Sequence, residues 1–91
     1  MNEASCPTLL PKTRLRYNRQ RDACVLLWPE RGLLLNRSAG DILKLCRGHH
    51  TLSSIVNALS DQYPHTKRNL IQADVHRLIL DLHSRGLLTL E

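Results

Sequence analysis

The chain has 91 residues, which is enough for one domain, and its 42% hydrophobic and 23% charged residues predict a folded protein. Leucine supplies 19 residues, whereas Tyr17, Trp28 and Tyr63 are the only aromatic ones, too few for a platform that stacks single-stranded nucleic acid. The longest apolar run, residues 23–28, is too short to cross a membrane, and the first residues lack a signal-peptide pattern. We therefore expect a cytoplasmic protein that does not bind membranes.

The formal net charge is +5, and all of the excess lies in the first half of the chain. Residues 1–48 hold nine Lys or Arg against four acidic residues, and residues 49–91 hold four of each. Two interpretations remain open: a solvated basic face, or a surface that attracts an acidic peptide or a phosphate backbone.

Residues 1–13 contain Pro7 and Pro11 and no periodic apolar pattern. This composition predicts an extended N-terminal arm that is anchored only by Leu9 and Leu10. Residues 14–91 are predicted to form the single folded domain.

Three short strands are predicted after the arm. Residues 14–18 alternate basic and apolar side chains, residues 23–28 are an apolar run that ends before Pro29, and a third strand covers residues 33–36. Four-residue turns, 19–22 and 29–32, connect them, the second with Gly32 at a positive φ. This spacing predicts an antiparallel meander.

Three helices follow, each with apolar residues at helical spacing. The first is predicted to begin at the cap Ser38 and to end at Gly48, and the second to begin at the cap Thr51 and to stop before Pro64. The third contains the apolar residues from Leu70 to Leu82 and ends at Gly86, before a short strand over 87–90. The expected fold class is α+β, a winged-helix-like βββααα arrangement of a three-stranded antiparallel sheet followed by a three-helix bundle.

No constellation of residues suggests catalysis or metal binding. The five histidines have no acid or cysteine at metal-ligand spacing, and the four glycines are isolated. Cys6, Cys24 and Cys46 form no C-x-x-C pair, which favours thiols in a reducing compartment that are small buried hydrophobic side chains or have no role. We therefore expect no catalytic residue, no metal and no cofactor, and a protein that is not an enzyme.

The alternative function is that of a small winged-helix protein that binds nucleic acid. The natural recognition helix would be the third, but Asp74 and Asp81 lie beside Arg77 and Arg85, so this helix has no basic stripe for phosphates. We therefore expect no nucleic-acid partner.

The third predicted strand holds more leucine than one strand face can bury. Side chains alternate between the two faces of a strand, so Leu33, Leu34 and Leu35 cannot all be hidden unless something covers the other face or the edge. Three explanations stay open: a peptide that adds as a further strand, complete cover by the third helix, or pairing with a second copy. The protein is thus expected to be a monomer, or a homodimer through its open sheet edge.

A set of motifs in a fixed order resembles the pyrroloquinoline quinone (PQQ) biosynthesis protein D family, over roughly residues 7–90. The motifs are Val25-Leu26-Leu27-Trp28-Pro29-Glu30, Leu35-Asn36 with Ser38-Ala39-Gly40-Asp41-Ile42-Leu43, Gly48-x-x-Thr51-Leu52-x-x-Ile55-Val56, and Asp74-Val75-x-x-Leu78.

The resemblance implies a non-enzymatic carrier, a recognition element for a peptide that is made on the ribosome and then modified. Such a carrier binds the precursor peptide and presents it to a radical-SAM enzyme, which crosslinks a Glu to a Tyr within the peptide. The resemblance places the peptide as an added strand beside the third strand, in a cleft that the third helix closes. It implies two sets of site residues: Leu33, Leu34, Leu35 and Asn36 as the pairing strand, and Asp74, Val75, Leu78 and Leu82 as the cleft wall.

Overall fold

A computed structural model describes residues 3–91, which form five strands and three helices. In chain order they are β1 (Pro7–Leu9), β2 (Arg14–Asn18), β3 (Ala23–Trp28), β4 (Arg31–Leu35), α1 (Arg37–Lys44), α2 (Leu52–Gln62), α3 (Arg68–Ser84) and β5 (Leu88–Leu90).

The strands β2, β3 and β4 form the predicted antiparallel meander, in that order. The register sets Leu15 opposite Leu26 and Leu26 opposite Leu33, and this row lies on the face that packs against the core. The third strand begins at Arg31 rather than at residue 33, so only Pro29 and Glu30 connect it to β3. The predicted four-residue turn is therefore wrong, and so is the positive φ predicted for Gly32, which lies within β4.

The segment that was predicted as an arm is joined to the domain by β1. This strand pairs antiparallel with β5, with Thr8 opposite Thr89. The backbone of Thr8 also forms an isolated antiparallel β-bridge with Arg47. Pro7 is fully buried. The expectation that Leu9 and Leu10 alone anchor an arm is corrected, because the partner strand lies at the other end of the chain and leaves no local signal near residue 7.

A single residue, Asn36, separates β4 from α1, and it is the N-cap of the helix in place of the predicted Ser38. The Asn36 side chain accepts a hydrogen bond from the Ala39 amide at 2.8 Å, whereas the Ser38 hydroxyl donates to Asn36 Oδ1. Asn and Ser are about equally good caps, so sequence alone does not choose between them. The helix ends at Lys44 and not at Gly48.

Gly40 lets α1 lie close to β3. A Cβ at this position would stand 3.0 Å from Cys24 Sγ, which is tighter than ordinary van der Waals contact. The glycine therefore lets the helix pack directly on the sheet.

The capping predictions for α2 and α3 are confirmed. Thr51 Oγ1 accepts from the Ser54 amide at 3.0 Å, and α2 ends just before Pro64. Helix α3 ends at Ser84, followed by Gly86 with a φ of 73°, the left-handed conformation that favours glycine after a helix.

One hydrophobic core lies between the inner face of the β2–β4 sheet and the three helices, and it extends to β5. The predicted α+β, winged-helix-like fold is confirmed, with the small β1–β5 sheet as an addition. The buried hydrophobic residues are Leu26, Leu35, Ile42, Leu43, Cys46, Leu52, Ile55, Val56, Leu59, Ile71, Val75, Ile79, Leu82, Leu87 and Leu88.

Candidate binding cleft

A surface cleft of about 490 Å³ lies between α1 and α3. Its apolar lining comes from Ala39 and Ile42 of α1 and Leu78 of α3. The polar lining residues are Asn36, Ser38, Asp74, Arg77 and Asp81. A concave surface that combines apolar side chains with polar groups able to orient a ligand is typical of a site that binds an organic or peptide ligand.

The free edge of β4 leads into this cleft. In the sheet order β2-β3-β4, β4 is an outer strand and is paired on one side only within residues 3–91. Asn36 follows β4 directly and also lines the cleft. An unpaired strand edge offers backbone donors and acceptors to another extended chain.

The structure divides the three leucines of the predicted pairing strand between two faces. Leu35 is 4% exposed and Leu33 is half-buried, and both pack in the core. Leu34 is 51% exposed on the opposite face of the sheet. Asn36 lies outside the strand as the cap of α1, so the predicted strand is one residue too long at this end.

The predicted cleft wall on α3 also divides into two parts. Asp74 and Leu78 line the cleft, whereas Val75 and Leu82 are fully buried in the core. Consecutive helix residues differ in direction by about 100°, so Val75 points away from the surface on which Asp74 lies. Val75 and Leu82 support the wall from behind and add no surface to the cleft.

The lining residues on α1 were missed. Ala39 and Ile42 have the helical spacing of core residues, and the sequence offers no sign that the same apolar face also borders a cleft. In the sequence, Arg77 and Asp81 serve only as evidence that the third helix has no basic stripe. Their spacing from Asp74 and Leu78 along one face of α3 is the signal that would have included them.

Two ion pairs lie along the α3 side of the cleft. Arg77 bonds Asp74 at 2.9 Å, and Arg85 bonds Asp81 at 3.2 Å, all with substantial exposure. Exposed pairs of this kind contribute only about 0–1 kcal/mol each. Asp74 and Asp81 can therefore leave their arginine partners and bind a donor group of a ligand at a small cost in free energy.

A smaller cavity of about 260 Å³ adjoins the cleft and shares Ser38, Ile42 and Asp74 with it. Tyr63 lines this cavity and donates a hydrogen bond to Asp41 of α1, which raises the pKa of the Tyr63 phenol. Gln62 Nε2 donates to the same carboxylate at 3.0 Å. These bonds hold the end of α2 against α1.

Among residues 3–91, none of the helices combines the length and the apolar composition of a membrane span. In the same residues, no group of three or more His, Cys, Asp or Glu side chains is arranged to hold a metal ion.

Fold and site together define a small α+β domain of winged-helix type, with an open edge strand beside a cleft of mixed apolar and polar lining. Residues 23–88 match the family model described as Coenzyme PQQ synthesis protein D (PqqD). The chain belongs to the PqqD family, and the predicted resemblance is confirmed.

Curated relatives are named PqqA binding protein. The one from Bradyrhizobium diazoefficiens is 34% identical over 98% of this chain and 85% of its own length, and the one from Rhodopseudomonas palustris strain BisB5 is 37% identical over 98% and 86%.

Two solved structures are similar along nearly the whole chain. The PqqD part of Methylobacterium extorquens PqqCD, a functional, stand-alone recognition element for ribosomally synthesized and post-translationally modified peptides, has a TM-score of 0.78 and 34% identity over 91% of this chain and 87% of its own. PqqD from Xanthomonas campestris has a TM-score of 0.58 and 32% identity over 96% of both chains.

Proposed function

We propose that this chain is a non-catalytic recognition element that binds the ribosomal precursor peptide of PQQ, PqqA. The observation that carries the proposal is the free edge of β4, which continues through Asn36 into the cleft between α1 and α3. Membership of the PqqD family, and the name and fold of the relatives, support the same ligand.

The peptide adds as a strand along Leu33, Leu34 and Leu35, and its backbone bonds supply affinity that does not depend on its sequence. Its side chains that point toward the helices lie on Leu78 and beside Asp74. Buried apolar contacts of this kind carry most of the binding energy in a small interface.

The carrier then presents the peptide, in the cytoplasm, to the radical-SAM enzyme that forms the Glu-Tyr crosslink. The chain itself supplies no cofactor and no catalytic group to that step. Because the peptide uses the edge of β4, a homodimer that pairs through the same edge would compete with it, so we expect the loaded protein to be a monomer.

The decisive experiment is a titration of isotopically labelled protein with the PqqA peptide, followed by amide chemical shifts. We expect shifts in residues 31–36 and 74–81. Leu78→Asp should reduce the affinity by about a hundredfold, since it buries a charge under the peptide. Leu80→Asp makes the same change on the same helix at a 48% exposed position and should leave the affinity within about threefold.

Equal losses in the two variants, with both folded by circular dichroism, would reject the cleft as the peptide site. A parallel titration with duplex DNA at two salt concentrations tests the alternative function. Strongly salt-dependent shifts with DNA, and none with the peptide, would replace the proposal by nucleic-acid binding.

A further inference from the structure

The outer face of the β2–β4 sheet carries an exposed apolar patch that no element within residues 3–91 covers. Leu27 is 40% exposed and Leu34 is 51% exposed, and Val25 lies directly opposite Leu34 in the register. Gly32 lies opposite Leu27 and has no side chain. The Leu27 side chain lies over it, since a Cβ on Gly32 would stand 3.0 Å from Leu27 Cδ2. The side chains of Val25, Leu27 and Leu34 are therefore neighbours on one face of the sheet, named here the outer patch.

Basic residues border the outer patch on one side. Arg14 is opposite Leu27 and Arg16 is opposite Val25, and both arginines are exposed. Lys12 joins Arg14 and Leu27 around a shallow depression of about 430 Å³. None of the outward-facing residues of β2, β3 and β4 is acidic, so the charge on this face has a single sign.

We propose that the outer patch docks a protein partner whose surface is apolar at its centre and acidic at its border. A second copy of this chain fits poorly, because a two-fold contact would bring the two basic borders together. A nucleic acid fits poorly too, since its phosphates would pair with the arginines but leave the leucines without apolar contact. A protein surface satisfies both parts of the patch.

The outer patch is continuous with the proposed peptide site. Leu34 belongs to the patch and to β4, and a strand added at the edge of β4 would place alternate side chains on the same outer face. A partner on this face would therefore contact the carrier and the bound peptide together. The inference rests on the proposed function for the identity of that partner, the enzyme that modifies the peptide.

The test measures the affinity of the purified radical-SAM enzyme for single variants of the full chain. Arg16→Glu should weaken enzyme binding by about tenfold or more, because it sets an acid against an acidic border. Arg19→Glu makes the same charge change in the β2–β3 turn and should weaken binding by less than about threefold. Both variants should bind the PqqA peptide as the wild type does.

A second pair of variants tests the apolar part without changing charge. Leu27→Ser should weaken enzyme binding by about tenfold. The control Leu70→Ser changes a leucine that is 54% exposed on α3 and should have little effect. Circular dichroism establishes that each variant is folded.

Equal weakening by Arg16→Glu and Arg19→Glu would mean that the enzyme responds only to the net charge of the chain, and this would overturn the proposal. Enzyme binding that neither Arg16→Glu nor Leu27→Ser changes would overturn it as well. A wild-type dimer in sedimentation that Leu27→Ser dissociates would assign the patch to a second copy instead. The two proposals can also fail separately. If the wild type bound the enzyme but not the peptide, and the patch variants lost the enzyme, the docking surface would stand and the proposed function would be rejected.

Discussion

Asn36 connects the sheet to the first helix, and its side chain has a measurable role in stability. Its Oδ1 accepts hydrogen bonds from the Ala39 amide and the Ser38 hydroxyl. Asn36→Ala should lower the free energy of unfolding by about 1 kcal/mol in urea, because the first turn of α1 loses its cap. Ser38→Ala keeps the cap and should cost less than about 0.5 kcal/mol. A larger loss from Ser38→Ala would show that the cap is assigned to the wrong residue.

Cys46 couples stability to alkaline pH. Burial raises the pKa of its thiol from 9.0 to about 12, and Sγ donates to the Ile42 carbonyl at 3.3 Å. The folded state thus keeps the thiol neutral while the unfolded chain ionises it, so this contribution to stability is complete below pH 9 and is lost as the pH rises toward about 12.

Urea unfolding of wild type and Cys46→Ala at about pH 8 and about pH 10.5 measures this coupling. Between the lower and the higher pH, the wild type should lose more unfolding free energy than Cys46→Ala. The difference in unfolding free energy between the two proteins should therefore be smaller at the higher pH. The tyrosines titrate in both proteins and cancel in the comparison. A difference that stays constant with pH would contradict the assignment.

At the scale of elements, residues 3–10 stabilise parts of the fold that are distant in sequence. Besides the β1–β5 pairing, the Ser5 carbonyl accepts from the Leu52 amide at 2.9 Å and the Glu3 carbonyl accepts from the Ser53 amide at 3.1 Å. Both amides belong to the first turn of α2, and the N–H groups of a first turn have no hydrogen-bond acceptor within the helix. The N-terminal segment supplies these acceptors.

Removal of residues 1–10 should therefore lower the free energy of unfolding by about 2–4 kcal/mol in urea, since several backbone hydrogen bonds and the burial of Pro7 are lost. Adding residues 1–10 back as a separate peptide should restore part of that loss. An unchanged unfolding midpoint would mean that this segment is the separable arm that its composition predicts.

At the scale of the whole molecule, the leucines have different roles that composition alone does not separate. Leu26 is fully buried at the centre of the sheet, whereas Leu34, on the next strand, is half exposed. Leu26→Ala should cost about 2–5 kcal/mol in unfolding free energy, and Leu34→Ala less than about 0.5 kcal/mol. Similar costs at the two positions would contradict the register between β3 and β4.

Much of the fold follows from local patterns. The bounds of β2 and β3, the cap Thr51 and the stop at Gly86 were predicted correctly, because alternation, capping and turn chemistry involve residues close together in the chain. The small sheet was missed because its strands, Pro7–Leu9 and Leu88–Leu90, lie at opposite ends of the chain.

By itself, the sequence determined the class of fold, the order of the main elements and the family, since motif order and periodicity are read along the chain. Only the tertiary structure decided which side chains reach the surface. Leu33 and Leu34 differ by one position and lie on opposite faces, and Leu78 lines the cleft while Val75 is buried. Such differences arise because burial depends on contacts between α1, α3 and the sheet, segments that meet only after folding.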